Sequence, residues 1–267
     1  MTAPAIVMPP GRAGERIAQL GDRVRLCDVY DVHGAPIYHD LAANDAFEVR
    51  EIVRAVRAMP GAVLDLAAGS GRFTFPVLAL GRSVTALDLS EDMLGLLRER
   101  LEAAPARLRA ACTVVHGDMA GFDLGSGFAT IVLGTTSISL LNAAGRGRLF
   151  RSVVDHLEPG GQFLFTVLER GDTSGPDEQV DQVAGASGTR YEVYDHWPVG
   201  SASRVVTILP ADPAEGPVYA CTDEVGITDV PAVERELAEA GLRILERRAL
   251  TPAGGRHHVT LLKAVRA

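Results

Sequence analysis

Asp65 sits inside an apolar run, Asp88 and Asp118 each close one, and the three runs follow one another along the chain. In "VLDLAAGSGRF" (63–73), Val63, Leu64 and Leu66 read as a buried parallel strand interrupted by Asp65. Gly69, Ser70 and Gly71 then break the strand. A strand, a glycine turn and a helix start make a place where backbone can approach a ligand closely. Asp88 ends "VTALDL", Asp118 ends "VVHGD" with Met119 behind it, and Gly134, Thr135, Thr136 and Ser137 follow "FATIVL". In open α/β sheets ligands bind beyond the carboxyl ends of the strands, where the strand order reverses, and an acid after the second strand accepts from ribose hydroxyls. Any one acid alone is equally a helix cap or a solvated turn residue. Their placement at corresponding strand ends points to a nucleoside ligand.

The dinucleotide fingerprint needs a third glycine, but Thr74 stands there; counted from Ala67, the third position is Arg72. A hydrolase elbow fails as well, because Ala68 and Arg72 flank Ser70 at the positions where glycine is needed. Asp65 would repel a phosphate and suits a cationic ligand such as an amino-acid ammonium.

These turns need a scaffold, and the middle of the chain alternates strand and helix. Strands are expected at 62–66, 83–89, 112–118, 128–134 and 160–169. Helices are expected at 44–59 (Asn44 as cap; Phe47, Ile52, Val53, Val56 and Met59 on one face), at 90–104 (Ser90 as cap) and around 144–157. Five strands interleaved with helices imply an α/β, doubly wound, Rossmann-like parallel sheet. Residues 171–188 read as a loop. The runs 189–197, 203–210 and 217–227 read as short antiparallel strands, a small β insertion after the fifth strand. A helix at 230–241 closes on Gly241. Strands at 242–250 and 257–265 form an edge hairpin that completes seven strands, the last antiparallel. The expected domains are an N-terminal segment at 1–43 that closes over the site, a cofactor-binding core at 44–170 and 229–267, and an acceptor lid at 171–228.

Composition fits a globular enzyme of 267 residues, 47% of them hydrophobic. A net charge of −8 argues against a nucleic-acid partner. No apolar run is long enough for a bilayer, and residues 1–10 lack the pattern of a secretion signal. Cys27, Cys112 and Cys221 are far apart and form no CxxC pair, so a reducing cytoplasm is expected. His33 with His39, and His257 with His258, lack a third ligand, so no metal is expected.

With these motifs in view, the chain resembles the class I S-adenosylmethionine-dependent methyltransferases. "VLDLAAGSGR" is similar to their first motif, with Ala67 where the first glycine is usual; "VTALDLSEDML", "VVHGDMAGFDL" and "FATIVLGTTSISLL" resemble the next three, and "HLEPGGQFLFTV" the segment before the fifth strand. The resemblance implies S-adenosylmethionine as cofactor, bound by Asp65, Ala67, Gly69, Gly71, Asp88, Leu89, Met93, Asp118, Met119, Gly134 and Thr135. Asp88 would take the ribose and Asp118 the adenine amino group.

The segment "APIYHDL" (35–41) resembles the "YD-x-L" entry of small-molecule and sugar N,N-dimethyltransferases, with His39 intervening between Tyr38 and Asp40. That likeness implies a closing tyrosine at Tyr38 and an acceptor-facing Ser137. In the lid, Tyr191, Tyr194 and Trp197 are expected to bind acceptor, and His196 to act with Tyr38 in catalysis; each lid residue taken singly is more often a packing residue. The whole chain is also similar to methyltransferases of daptide-type ribosomal peptide pathways. The resulting expectation is methyl transfer to an amine of a small natural product or modified peptide, with dimethylation and a homodimer left open. An O-methyltransferase on a small hydroxylated molecule, and a non-catalytic nucleoside-binding regulatory module, are the other readings.

Overall fold

From the N-terminus the elements are α1 (Gly11–Leu20), β1 (Val24–Cys27), α2 (Gly34–Ala42), α3 (Phe47–Ala58), β2 (Val63–Leu66), α4 (Thr74–Ala79), β3 (Val84–Asp88) and α5 (Glu91–Ala103). There follow α6 (Ala106–Ala110), β4 (Cys112–His116), β5 (Phe128–Leu133), α7 (Ala143–His156) and β6 (Leu157–Arg170). The chain continues through β7 (Glu178–Ala184), β8 (Arg190–His196), β9 (Ser203–Pro210) and β10 (Val218–Gly226), then α8 (Val230–Glu239), β11 (Leu242–Ala249) and β12 (His257–Arg266). The structure, a computed structural model, describes residues 6–42, 47–170, 176–250 and 257–267. Asn44, the expected helix cap, lies outside them. Two compact units result, Met1–Asn44 with Thr173–Gly226, and Asp45–Asp172 with Ile227–Ala267.

The larger unit is built on a seven-stranded sheet of order β11-β12-β6-β5-β2-β3-β4, parallel except where β12 runs antiparallel to β6 and β11. Successive side chains of β2 go to opposite faces. Leu64 and Leu66 join the core with Leu149, Phe150 and Val153 of α7 and Val233 and Leu237 of α8. Val63 joins the other core, with Ile52 and Val56 of α3, Val77 and Leu78 of α4, and Leu94 and Leu97 of α5. Helices thus cover both faces, as the continuous apolar runs of β2 and β5 require. The expected caps form at Ser90, whose hydroxyl accepts the Met93 amide at 3.1 Å, and at Gly241, with φ at +85°.

Strand order fixes where a ligand belongs. The chain steps from β2 outward through β3 to β4, then returns so that β5 lies on the other side of β2 and β6 beyond it. The switch point is between β2 and β5, which leaves a crevice at their carboxyl ends.

The smaller unit is a five-stranded sheet of order β1-β10-β9-β8-β7, antiparallel except that β1 runs parallel to β10. Part of the stretch 171–188 expected as a loop is strand β7, which pairs with β8 from Glu178 to Ala184. It is an edge strand with polar side chains along both faces, so it carries little apolar pattern to read. The N-terminal segment enters the same sheet as the insertion. That pairing makes Cys27 and Cys221 register partners, both thiols free and 3.2 Å apart.

Candidate active site

The turn after β2 is narrow for two reasons. Gly69 and Gly71 hold φ at +53° and +90°, and a Cβ on either would crowd α5, 2.9 Å from Met93 Cε at residue 69 and 2.6 Å from Leu97 Cδ1 at residue 71. Ala67 adopts φ +50° although it is not glycine, so its substitution for the usual glycine is a matter of backbone strain as well as size.

Asp88 ties this turn to the next strand. One carboxylate oxygen accepts the Gly69 amide at 2.7 Å and the other the Ser90 amide at 2.8 Å. Each oxygen keeps a second lone pair for a further donor. Burial raises the carboxyl's pKa above its ordinary value, and the bonds from Ser90 and Gly69 pull against that rise. Next to it, Leu89 is an apolar side chain left 65% exposed. Beyond β4, Asp118 is exposed and caps its own turn by accepting the Ala120 amide at 2.8 Å, while Met119 is buried.

Asp65 is buried on the α4 face of the sheet, 2% exposed. Thr74 of α4 donates its hydroxyl to Oδ2 at 2.6 Å, and Oδ1 has no hydrogen-bond partner among the described residues. Burial pushes the pKa up to about 7, opposed by Thr74 and helped by the charge of Asp88. An orphaned buried carboxylate oxygen at the switch point suits a cation.

The turn after β5 is held from below. Thr135 and Thr136 sit at φ +53° and +55°. The Thr135 amide donates to Glu48 Oε1 of α3 at 2.7 Å, and Thr135 Oγ1 lies 3.0 Å from Ser137 Oγ. Gly134 backs directly onto Phe73. Neither Glu48 nor Phe73 belongs to a motif in the sequence that points to this role. A glutamate in the first turn of a helix reads as a solvated acid, yet Glu48 is 7% exposed.

All the residues expected to bind cofactor lie in the larger unit, and so does Ser137. Tyr38, Tyr191, Tyr194, His196 and Trp197 all lie in the smaller one. There, Tyr38 is half-buried, its ring edge-on to Tyr30 at 5.5 Å. Tyr191 donates its hydroxyl to Asp40 at 2.9 Å, and Tyr194 donates to Glu192 at 2.8 Å. Burial, and then the acceptor carboxylate, push both phenols up to about 12. The two tyrosines pack in different cores, Tyr191 with Cys27 and Cys221, and Tyr194 with Ile17 and Leu209. They belong to opposite faces of the sheet. Trp197 is buried at 1% exposure, with the Arg204 guanidinium over its ring at 6.0 Å. His196, at the end of β8, has a buried Nδ1 with no hydrogen-bond partner among the described residues. Among those residues no cluster of three metal-ligating side chains occurs, and no helix is long and apolar enough to cross a membrane.

Known proteins resemble this chain in sequence and in fold. A family described as a methyltransferase domain matches residues 63–161, from β2 into β6. A dTDP-3-amino-3,4,6-trideoxy-alpha-D-glucopyranose N,N-dimethyltransferase of Streptomyces venezuelae is 33% identical over 135 residues, half of this chain and 53% of that enzyme. The chain therefore spans about half the length of this curated relative. Among solved structures, the glycopeptide N-methyltransferase MtfA complexed with S-adenosyl-L-methionine is 36% identical over 98% of this chain and 99% of its own, with a TM-score of 0.67. DesVI of Streptomyces venezuelae is 26% identical over 89% of this chain and 99% of its own, also with a TM-score of 0.67. The glycine turn after β2, the acid after β3, the orphaned oxygen of Asp65 and a likeness running the length of the chain agree: the protein belongs to the class I S-adenosylmethionine-dependent methyltransferases.

Proposed function

We propose that this methyltransferase acts on an amine of a sugar-bearing or peptide natural product. The observation that carries the reading is the extent of the likeness to the glycopeptide N-methyltransferase. It covers 98% of the chain, and so takes in the β-rich unit outside the matched domain at 63–161. The S. venezuelae relative named as a sugar N,N-dimethyltransferase supports a nitrogen acceptor and a second round of transfer.

In this reading the sulfonium of S-adenosylmethionine supplies an electrophilic methyl. Asp88 accepts the ribose hydroxyls on the lone pairs that Gly69 and Ser90 leave open, Leu89 gives the adenine an apolar face, and Asp118 takes its amino group. Asp65 offers Oδ1 to the cationic end. A methyl transfer is an in-line displacement, so the enzyme's main contribution is orientation of the acceptor. An amine must first lose its proton. His196, whose Nδ1 has no hydrogen-bond partner among the described residues, is proposed as the base, and Tyr38 and Ser137 are each proposed as acceptor contacts.

Incubation with methyl-13C S-adenosylmethionine and a set of aminosugars and amino-terminal glycopeptides, read by NMR of the product, tests the proposal. A labelled methyl on nitrogen supports it, and two methyls on one nitrogen support dimethylation. A methyl on oxygen overturns the amine assignment and leaves methyl transfer standing.

A further inference from the structure

Two adjacent β-branched residues hold a conformation that such side chains rarely adopt. Thr135 and Thr136 have φ of +53° and +55°. A corner of this kind persists only when its surroundings over-determine it. Here each amide is held by a side chain from another element. The Thr135 N–H donates to Glu48 Oε1 at 2.7 Å, and the Thr136 N–H donates to Thr166 Oγ1 of β6 at 2.9 Å. The Thr166 hydroxyl donates in turn to the same Glu48 oxygen at 2.7 Å. Thr166 is fully buried.

The other oxygen of Glu48 faces the opposite lip of the crevice. Arg72 follows the glycine turn of β2, and its Nη2 lies 3.5 Å from Glu48 Oε2. One buried carboxylate of α3 thus touches the loop after β5 directly, its second strained peptide through Thr166, and the loop after β2 through Arg72. These are the two loops that flank the switch point. A second polar tie seats α3 on the same face of the sheet, since Gln162 donates to the Ala55 carbonyl at 3.2 Å and to Thr130 Oγ1 at 3.1 Å. Gln162 is 1% exposed.

We propose that Glu48 is a positioning residue that clamps the Thr135–Thr136 corner in its left-handed form and so shapes the cofactor crevice. It does not touch the reacting atoms. The inference rests on the assignment of that crevice to S-adenosylmethionine. The clamp acts through acceptor oxygens, so a side chain that keeps the oxygen keeps most of the effect. Glycine adopts positive φ without strain, so it removes the need for the clamp.

Calorimetric titration with S-adenosylhomocysteine, alongside amide hydrogen exchange at residues 134–137, tests the proposal. Glu48→Ala should weaken binding at least tenfold and speed exchange at Thr135 and Thr136. Glu48→Gln, whose amide oxygen can accept the same two donors, should stay within threefold of the parent. Adding Thr136→Gly to Glu48→Ala should recover at least threefold of the loss. A role in folding alone would predict no recovery from Thr136→Gly. Should Glu48→Ala not fold, Thr166→Val, which keeps the volume and removes the hydroxyl, should still speed exchange at Thr136 and weaken binding about threefold. Unchanged affinity and exchange in Glu48→Ala or Thr166→Val would overturn the proposal, as would a loss that neither Glu48→Gln nor Thr136→Gly reduces. A parent protein that bound no S-adenosylhomocysteine would overturn the cofactor assignment instead, while the exchange rates would still judge the clamp.

Discussion

The ring of Phe73 occupies the space beside Gly134: a Cβ built on that glycine would collide with Phe73 Cε2 and Cζ. The two residues follow β2 and β5, the strands on either side of the switch point. Phe73 is buried, so its ring has little room to retreat.

Gly134→Ala should therefore destabilise the protein by about 1–3 kcal/mol, as overpacking in a dense core does. It should also weaken S-adenosylhomocysteine binding. Phe73→Leu added to Gly134→Ala should recover part of both losses, because the smaller side chain vacates the contested space. Chemical denaturation and calorimetry of the single and double variants would check this; additive losses would place the strain elsewhere.

At Ala67 the expected change has the opposite sign. An L-residue at φ +50° costs about 1–2 kcal/mol relative to a right-handed conformation, while glycine loses about 0.4–1 kcal/mol through the freedom of its unfolded chain. Ala67→Gly should thus be neutral or stabilising by up to about 1.6 kcal/mol, seen as an unchanged or raised Tm. A clear fall in Tm would show that the Ala67 methyl contributes packing that outweighs the strain.

Asp65 should make both stability and binding depend on pH. Its carboxyl has an ordinary pKa of 3.8, raised by burial to about 7 in the folded protein. Between these values the folded state holds a proton that the unfolded state has released, so this group's contribution to stability falls as pH rises through that window. Asp65→Asn should flatten that slope. A cation bound at this end of β2 favours the ionised carboxylate, so S-adenosylmethionine affinity should rise from pH 5.5 to 7.5 in the parent and vary less in Asp65→Asn. Parallel profiles for the two proteins would remove Asp65 from the site.

The acceptor-side residues should separate from the cofactor residues kinetically. With an amine acceptor in hand, His196→Ala and Tyr38→Phe are expected to lower turnover at least tenfold and leave S-adenosylhomocysteine affinity within twofold. A base at His196 also predicts that raising pH toward the acceptor's own pKa restores part of the rate lost in His196→Ala. Loss of cofactor affinity in either variant would reassign that residue.

The larger unit is legible in the sequence because its strands are buried on both faces, which writes them as apolar runs closed by glycine or aspartate. β2, β3 and β5 lie within a residue or two of their expected bounds for that reason. β7 is not legible, since an edge strand needs only one neighbour and its side chains alternate without an apolar face. Nothing local announces that β1 runs parallel to β10, because their Cα partners lie in segments that the chain separates by most of its length. The same limit hides the Glu48 clamp. Its partners Thr135 and Thr166 are 87 and 118 residues away, and burial of a first-turn glutamate is a tertiary fact. The same holds for Tyr191 and Tyr194, whose packing is not written in their type: the alternation of a strand sends residues three apart to opposite faces.

The central claim is that the strand-end acids of the larger unit hold S-adenosylmethionine, and Asp88 tests it most directly. It receives the Gly69 and Ser90 amides and is assigned the ribose hydroxyls besides. Hydrogen bonds to a charged acceptor are worth about 1.5–3 kcal/mol each, and tenfold in affinity is about 1.4 kcal/mol. Calorimetric titration of parent and Asp88→Ala with S-adenosylhomocysteine should show one site per chain and a dissociation constant at least tenfold higher in the variant, with the circular dichroism spectrum retained. Equal dissociation constants in two folded proteins would contradict the account and move the nucleoside away from the end of β3.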